Sequence, residues 1–83
     1  DKILDMRLLV RNMSRQTTEK DLRDLFEPFG PVQSCVVVND DETGLSKGFG
    51  FVEMPKPGDA KAAMLQLNGR ELDGEKIRVK RSK

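Results

Sequence analysis

The sequence contains no histidine and a single cysteine, Cys35, among its 83 residues. Without histidine, the chain lacks the commonest general base and the commonest metal ligand of proteins. One thiol excludes an internal disulfide and a zinc site of several cysteines, and it favours a reducing compartment. No apolar run approaches the roughly 20 residues that a membrane-spanning helix needs. We therefore predict a protein without metal, without cofactor and without membrane attachment.

Residue combinations that support catalysis are also missing from the sequence. There is no cysteine–base pair and no Gly-Lys-Ser/Thr loop of the Walker type. The Lys47-Gly48 step has the wrong order for cradling a phosphate. The acidic run Asp40–Glu42 lacks the spacing of a metal-binding loop and is interpreted as a solvated turn. We expect no catalytic residues and no enzymatic activity.

Basic and acidic residues nearly cancel, with 15 of the former and 14 of the latter, but they are unevenly distributed. The last eight residues carry five cations and no acid. These cations are Lys76, Arg78, Lys80, Arg81 and Lys83. Such a run is typical of an arm that binds nucleic acid, the alternative being a charge that only keeps the chain in solution.

The length suits one compact domain and is too short for two. Residues 1–6 show no periodicity, and we interpret them as a flexible lead-in or a remnant of recombinant expression. The domain itself is predicted to span residues 7–83. Its four strands are predicted at residues 7–11, 32–38, 49–54 and 77–80.

Two helices are predicted from apolar residues that recur at helical spacing. The first begins after Thr18, a favourable N-cap residue, and ends at Pro28. The second begins near Gly58–Asp59, once Pro55 and Pro57 have closed the third strand, and ends at Asn68–Gly69. Both helices present a face of apolar side chains and therefore need a sheet to cover.

The elements follow the order strand, helix, strand, strand, helix, strand, with a tight hairpin at Asp73–Gly74 before the last strand. This order is the split βαβ arrangement. Right-handed crossovers place both helices on the same side of the sheet. The predicted fold is therefore α+β, a βαββαβ ferredoxin-like sandwich with a four-stranded antiparallel sheet and two helices on one face. The other face of the sheet is left uncovered.

The alternation of side chains along a strand predicts which residues occupy this open face. They are Arg7, Leu9 and Arg11 in the first strand, Ser34, Val36 and Val38 in the second, Lys47, Phe49, Phe51 and Glu53 in the third, and Arg78 and Lys80 in the last. Two aromatic rings thus lie among five cations and one acid. Flat rings framed by cations suit nucleobases joined by phosphates.

Two motifs in the sequence resemble those of a known family. The segment Lys47–Met54 matches the octapeptide of the RNA-recognition-motif (RRM) family at seven of eight positions, with Met54 where an aromatic is usual. Leu8–Met13 resembles the family's hexapeptide, except that Leu9 replaces its exposed aromatic. The resemblance spans about residues 7–82. It extends to small single-domain bacterial RNA-binding proteins, or equally to a domain from a longer eukaryotic chain.

This resemblance implies a role for each residue of the open face. Phe51 is expected to stack under a base, and Phe49 to pack against sugars or between neighbouring nucleotides. Lys47 is expected to contact a phosphate. Leu9 is expected to make an apolar contact with a base, without the stacking that an aromatic ring would add. The predicted RNA-binding residues are Arg7, Leu9, Arg11, Lys47, Phe49, Phe51, Arg78, Lys80 and Arg81. The expected partner is single-stranded RNA, with single-stranded DNA as a second choice, bound by a monomer. The expected location is the cytoplasm for a bacterial protein, and the nucleus or cytoplasm for a eukaryotic one.

Two other binding functions stay open from the sequence. A cold-shock-type barrel also uses a Lys-Gly-Phe-Gly-Phe strand, but it is all-β, which the two helical periodicities contradict. A protein-interaction module on the RRM fold is the more serious alternative. Some such modules use an Arg-x-Phe motif, and the corresponding segment Arg70–Leu72 lacks the aromatic residue.

Overall fold

The computed structural model describes residues 6–82. Residues 1–5 of the predicted lead-in, and Lys83 of the basic tail, lie outside the described residues. The elements are β1 (Met6–Arg11), α1 (Glu19–Phe26), a 3₁₀ turn (Glu27–Phe29), β2 (Ser34–Asn39), β3 (Ser46–Met54), α2 (Pro57–Leu67), β4 (Glu71–Leu72), β5 (Glu75–Lys76) and β6 (Arg78–Ser82). The first strand thus begins at Met6, one residue earlier than predicted.

The described strands form one four-stranded antiparallel sheet in the order β2-β3-β1-β6. The short strands β4 and β5 pair separately as a hairpin, in which Leu72 lies opposite Glu75. Its turn residues Asp73 and Gly74 both have positive φ, 52° and 86°, as a type I′ turn requires. The predicted α+β ferredoxin-like fold and the predicted hairpin are confirmed.

Helix α1 begins as the sequence predicts. The Thr18 hydroxyl accepts a hydrogen bond from the Asp21 amide at 3.2 Å, and the Thr18 amide donates to Asp21 Oδ2 at 3.1 Å. This capping box satisfies two amides that the first helical turn leaves unpaired. Leu22 and Phe26 are fully buried, and the chain then tightens into the 3₁₀ turn at Pro28.

Helix α2 begins at Pro57, so our assignment of this proline to the end of the third strand is wrong. Pro57 occupies the first helical position, where the missing amide costs no intrahelical hydrogen bond and the fixed φ suits the helix. Ala60, Ala63 and Leu67 are fully buried. Two alanines on the buried face allow the helix to lie close against the sheet.

The β2–β3 ladder is displaced from its predicted position. Strand β2 begins at Ser34 rather than at residue 32, and β3 begins at Ser46, three residues before the predicted start. The ladder includes the pair Asn39 and Ser46, beyond an irregularity after Val37. Backbone pairing does not depend on side-chain polarity, so a polar stretch joined the ladder although its composition suggested a loop.

The hydrophobic core lies between the sheet and the two helices. It contains Leu8, Val10, Met13, Leu22, Phe26, Cys35, Val37, Val52, Met54, Ala60, Ala63, Leu67, Ile77 and Val79. None of these core residues belongs to the set that the alternation of side chains predicts for the open face. Phe29, in the 3₁₀ turn, is only partly buried and packs against the edge of this core. Between residues 6 and 82, no helix is long and apolar enough to cross a membrane.

Candidate nucleic-acid interface

Strand register arranges the open-face side chains in rows that run across the sheet. In the central row, Phe51 of β3 lies between Val36 of β2 and Leu9 of β1, and Lys80 of β6 follows Leu9. In the row on one side, the same strand order gives Ser34, Glu53, Arg7 and Ser82. In the row on the other side, Arg11 lies opposite Arg78. The predicted open face is therefore one continuous surface.

Phe49 and Phe51 form the aromatic centre of this surface. Their ring centroids are 6.3 Å apart, and their planes meet at 87°, an edge-to-face contact. Both side chains are half-buried, although neither α1 nor α2 covers this side of the sheet. Because the rings are perpendicular, they cannot both lie flat on the sheet, so they present different surfaces to a ligand.

Phe51 also contacts a cation from the neighbouring strand. The Cζ atom of Arg7 lies over the Phe51 ring, 4.2 Å from its centroid, in a cation–π arrangement. Arg7 is the Cα partner of Glu53, two residues beyond Phe51 on the same face of β3. The guanidinium therefore reaches diagonally from its own row to the central one.

Glu53 is the acidic residue among the described strand positions of the open face. One of its oxygens, Oε1, accepts a hydrogen bond from the Ser34 hydroxyl across the β2–β3 ladder at 2.7 Å. This bond fixes the carboxylate on the β2 side of the face. The acid is thereby held away from the β1–β6 side, where Arg11, Arg78 and Lys80 lie.

Arg11, Arg78 and Lys80 form the basic side of the interface and are all exposed. They line a polar cleft of about 490 Å³, together with Asn12 and Asn68. Arg11 and Arg78 are direct Cα partners, and like charges at such positions repel each other. A bound phosphate relieves this repulsion, so the pair favours an anionic ligand.

Arg81 is the predicted site residue that the structure does not bring to this surface. It is the Cα partner of Leu8, whose side chain belongs to the core, and it alternates with Lys80 along β6. Its exposed side chain therefore lies on the helix side of the edge strand, separate from the eight other predicted residues. Contact between Arg81 and RNA stays a prediction.

Asn12 is a residue of the interface that our sequence reasoning missed. It has a positive φ of 59°, and its Nδ2 donates to the Lys76 carbonyl oxygen at 2.7 Å. Asparagine tolerates this left-handed conformation better than most residues do. An asparagine directly after the first strand could therefore have indicated a bend at this position. The bend turns the chain off the sheet directly after Arg11 and forms one wall of the basic cleft.

Comparison with known proteins identifies the family. Residues 8–78 match the family model described as RNA recognition motif. The chain belongs to the RNA recognition motif family. Members of this RRM family are RNA-binding proteins, and the domain is accordingly an RNA-binding domain and not an enzyme. The predicted family is confirmed.

Among curated RRM proteins, Transformer-2 protein homolog alpha from mouse and from human are each 49% identical to this chain over 70 residues. The match covers 84% of this chain and 25% of either relative, so the chain spans about a quarter of their length. Both relatives are mammalian and give no support to the suggested resemblance to bacterial proteins.

Solved RRM structures share the whole fold. The crystal structure of RNA binding protein PG1 superposes with a TM-score of 0.90 at 42% identity, covering 93% of each chain. The Sxl-lethal protein/RNA complex superposes with a TM-score of 0.88 at 28% identity, covering 93% of this chain and 46% of that one. The second of these similar structures therefore contains RNA.

Proposed function

We propose that the domain binds single-stranded RNA on its open sheet face, with a base stacked on Phe51. The observation that carries this proposal is the pair of half-buried rings, Phe49 and Phe51, on the side of the sheet opposite α1 and α2. Rings in such a position need a partner, and bases stack on aromatic side chains with about 1–3 kcal/mol each. The Sxl-lethal protein/RNA complex, which has the same fold, supports an RNA partner.

Because the two rings are perpendicular, they contact different parts of the RNA. Phe51 offers its face to a base in the central row, and Phe49 packs against a sugar or between neighbouring nucleotides. Leu9 lies next to Phe51 in the same row and provides an apolar contact for a second base. It has no π system, so this second base gains less than it would on an aromatic residue.

The cations of the interface contact the phosphates. Lys47 lies at the β3 end of the surface, whereas Arg11, Arg78 and Lys80 line the cleft on the β1–β6 side. A strand that crosses the rings therefore meets positive charge on both sides of them. For single strands, the logarithm of the affinity falls with the logarithm of salt with a slope near −0.7 per phosphate contacted.

The proposal predicts that Phe51→Ala weakens RNA binding about tenfold and Phe49→Ala less, with unchanged thermal melting. Random pools of short RNA, added to ¹⁵N-labelled protein, locate the contact surface by NMR and report the base preference. Exposed Leu65 on α2 gives a matched control, since Leu65→Ala removes apolar surface from the opposite side of the domain. Equal affinity in wild type and the double Phe→Ala variant contradicts the proposal.

The same titration distinguishes the remaining alternatives. A lack of RNA-induced shifts on the open face favours a protein-interaction module, whose partner would use the helix side. A parallel titration with single-stranded DNA of the same sequence tests the other expected ligand. Equal affinities for RNA and DNA would mean that the domain makes no contact with the 2′-hydroxyl groups of RNA. The monomeric state is checked by light scattering of the same samples. Location in the nucleus or cytoplasm, expected of a domain from a eukaryotic protein, stays a prediction.

A further inference from the structure

Two strands, β2 and β6, form the edges of the described four-stranded sheet. The outward backbone groups of an edge strand are free to pair with the edge of another molecule unless something covers them. In both edge strands, one outward amide is bound to a side chain of the same domain. The Val37 amide in β2 donates to Glu19 Oε2 at 3.1 Å, and the Val79 amide in β6 donates to Asn68 Oδ1 at 3.1 Å. Both edges are therefore capped, but the two strands differ in charge.

The β6 edge is protected against pairing with itself by its own side chains. Arg78, Lys80 and Arg81 are exposed on this short strand. Two copies placed edge to edge along β6 would bring these like charges together, which opposes pairing. Removing the Asn68 cap would therefore leave an edge that still repels a second copy.

The β2 edge carries no charge of its own. Residues 32–39 have the sequence Val-Gln-Ser-Cys-Val-Val-Val-Asn, without a charged residue, proline or glycine. Short segments that combine high β-propensity with low net charge and no proline pair readily with copies of themselves. Val36 is 47% exposed on this strand, so the edge also offers apolar surface to a neighbour. Two features that commonly protect an edge strand, charged side chains and proline, are thus missing from β2.

Helix α1 supplies the protection that the sequence of β2 lacks. Glu19, its first residue, binds the Val37 amide, and Arg23, one turn later, donates from Nη1 to the Val32 carbonyl at 3.3 Å. The Glu19 carbonyl also accepts from the Cys35 thiol at 3.4 Å, which holds this end of the helix against the strand. Because alternate residues of a ladder face the same side, the Cys35 backbone points outward like that of Val37. A neighbouring strand must therefore displace the Glu19 carboxylate before it can pair with β2.

We propose that the β2 edge is a self-association surface for a second copy of this chain, and that Glu19 keeps it closed. Two copies pair their β2 strands antiparallel about a two-fold axis, so that the same surface serves both partners. Such pairing needs a segment that tolerates its own copy, which the uncharged residues 32–39 do and β6 does not. The axis is perpendicular to the sheet, so the two open faces lie side by side. The inference goes beyond the proposed RNA function, since Glu19 is not among the predicted RNA-binding residues.

The test removes the cap and measures the mass of the domain in solution by light scattering over a series of protein concentrations. Glu19→Ala is expected to dimerise with a dissociation constant about tenfold lower than that of wild type, because no carboxylate then competes for the Val37 amide. Glu19→Gln is expected to stay monomeric like wild type, since its side-chain carbonyl still accepts from that amide. Asp24→Ala is the matched control, because it removes an exposed acid from the same helix and leaves the Glu19 bond intact.

Two further variants locate the interface. Val36→Lys, added to Glu19→Ala, places like charges on the two paired strands and is expected to restore the monomer. Asn68→Ala uncaps the other edge and is expected to stay monomeric, because the basic side chains of β6 still repel a second copy. In the Glu19→Ala dimer, hydrogen exchange of the Cys35 and Val37 amides is expected to slow as the protein concentration rises.

A Glu19→Ala variant that stays monomeric at every concentration overturns the proposal, as does a dimer that survives the added Val36→Lys. Equal dimerisation of Glu19→Gln or Asp24→Ala overturns it too, since net charge and not the cap would then control association. The fold of each variant is checked by ¹⁵N spectra. If the alanine variant does not fold, Glu19→Ser repeats the test, because serine suits a helix N-terminus and is too short to reach the Val37 amide.

Discussion

The guanidinium of Arg7 lies over the ring of Phe51, with Cζ 4.2 Å from the ring centroid. Stacked planes in contact lie about 3.5–4.0 Å apart, so a base on that ring face takes the place that Arg7 occupies. The sequence predicts Arg7 as one of the cationic RNA-binding residues of the open face. The structure gives it a second and opposing effect, because it must leave the ring before a base can stack there.

Arg7→Ala is therefore expected to change the affinity for RNA in a salt-dependent way. At low salt the loss of a cation weakens binding, whereas at about 0.5 M salt, where charge is screened, the freed ring binds about threefold more tightly than in wild type. Titrations across a salt series measure the crossing point. Arg11→Ala provides the control and is expected to weaken binding throughout. Parallel losses in the two variants at every salt concentration would show that Arg7 does not compete with the base.

Leu9→Phe is expected to tighten RNA binding about fivefold. Leu9 lies beside Phe51 and opposite Lys80 in the central row, so a ring at this position extends the stacking surface towards the basic side. Leu9→Met is the matched control, since it enlarges the side chain without adding a π face. If the phenylalanine and methionine variants bind alike, the gain comes from apolar area and not from stacking.

The sequence was sufficient to predict the fold and most of the open face. Alternation along a strand is fixed by backbone geometry, so burying Leu8 and Val10 necessarily turns Leu9 and Arg11 outward. The same rule also places Arg81 on the helix side, where it alternates with Lys80. The assignment of Arg81 to the RNA rests on the RRM resemblance and on its place in the basic C-terminal run, and neither of these determines the direction of a side chain.

The alternation of side chains does not predict the positions of Arg15 and Leu45, which lie in loops next to the sheet. The position of Arg15 depends on the bond from Met13 to Gly48, two residues that are far apart in the sequence. The exposure of Leu45 depends on amides that bond to Asp40 within the turn. The Arg7–Phe51 contact, likewise, requires the register of two strands and a side-chain rotamer. No periodic pattern encodes any of these features.

Asn12 allows a test of how the left-handed backbone supports the interface. Asn12→Gly keeps the positive φ of 59° but loses the hydrogen bond to the Lys76 carbonyl, whereas Asn12→Ala also incurs backbone strain. We expect the alanine variant to be about 1 kcal/mol less stable than the glycine variant. Urea unfolding measures both free energies. Equal stability of the two variants would mean that the conformation at Asn12 carries no strain for alanine.

Cys35 gives the domain a pH-dependent stability at alkaline pH. Cys35 is 9% exposed, and its thiol donates to the Glu19 carbonyl at 3.4 Å. Burial raises the pKa of this thiol from 9.0 to about 11, with nearby Arg23 lowering it and Glu19 raising it by smaller amounts. The folded state therefore holds the thiol proton more tightly than the unfolded state does.

The sign of the effect follows from this difference in pKa. The contribution is fully present below about pH 9 and is lost as the pH rises towards about 11, because unfolding then releases the proton. Urea unfolding at several pH values between 8 and 11 measures this loss. Cys35→Ala is the control, because it removes the thiol and leaves every other ionisable group in place. We expect wild type to lose more stability over this range than the variant, whereas identical pH profiles would show that the thiol ionises as readily in the fold as in the unfolded chain.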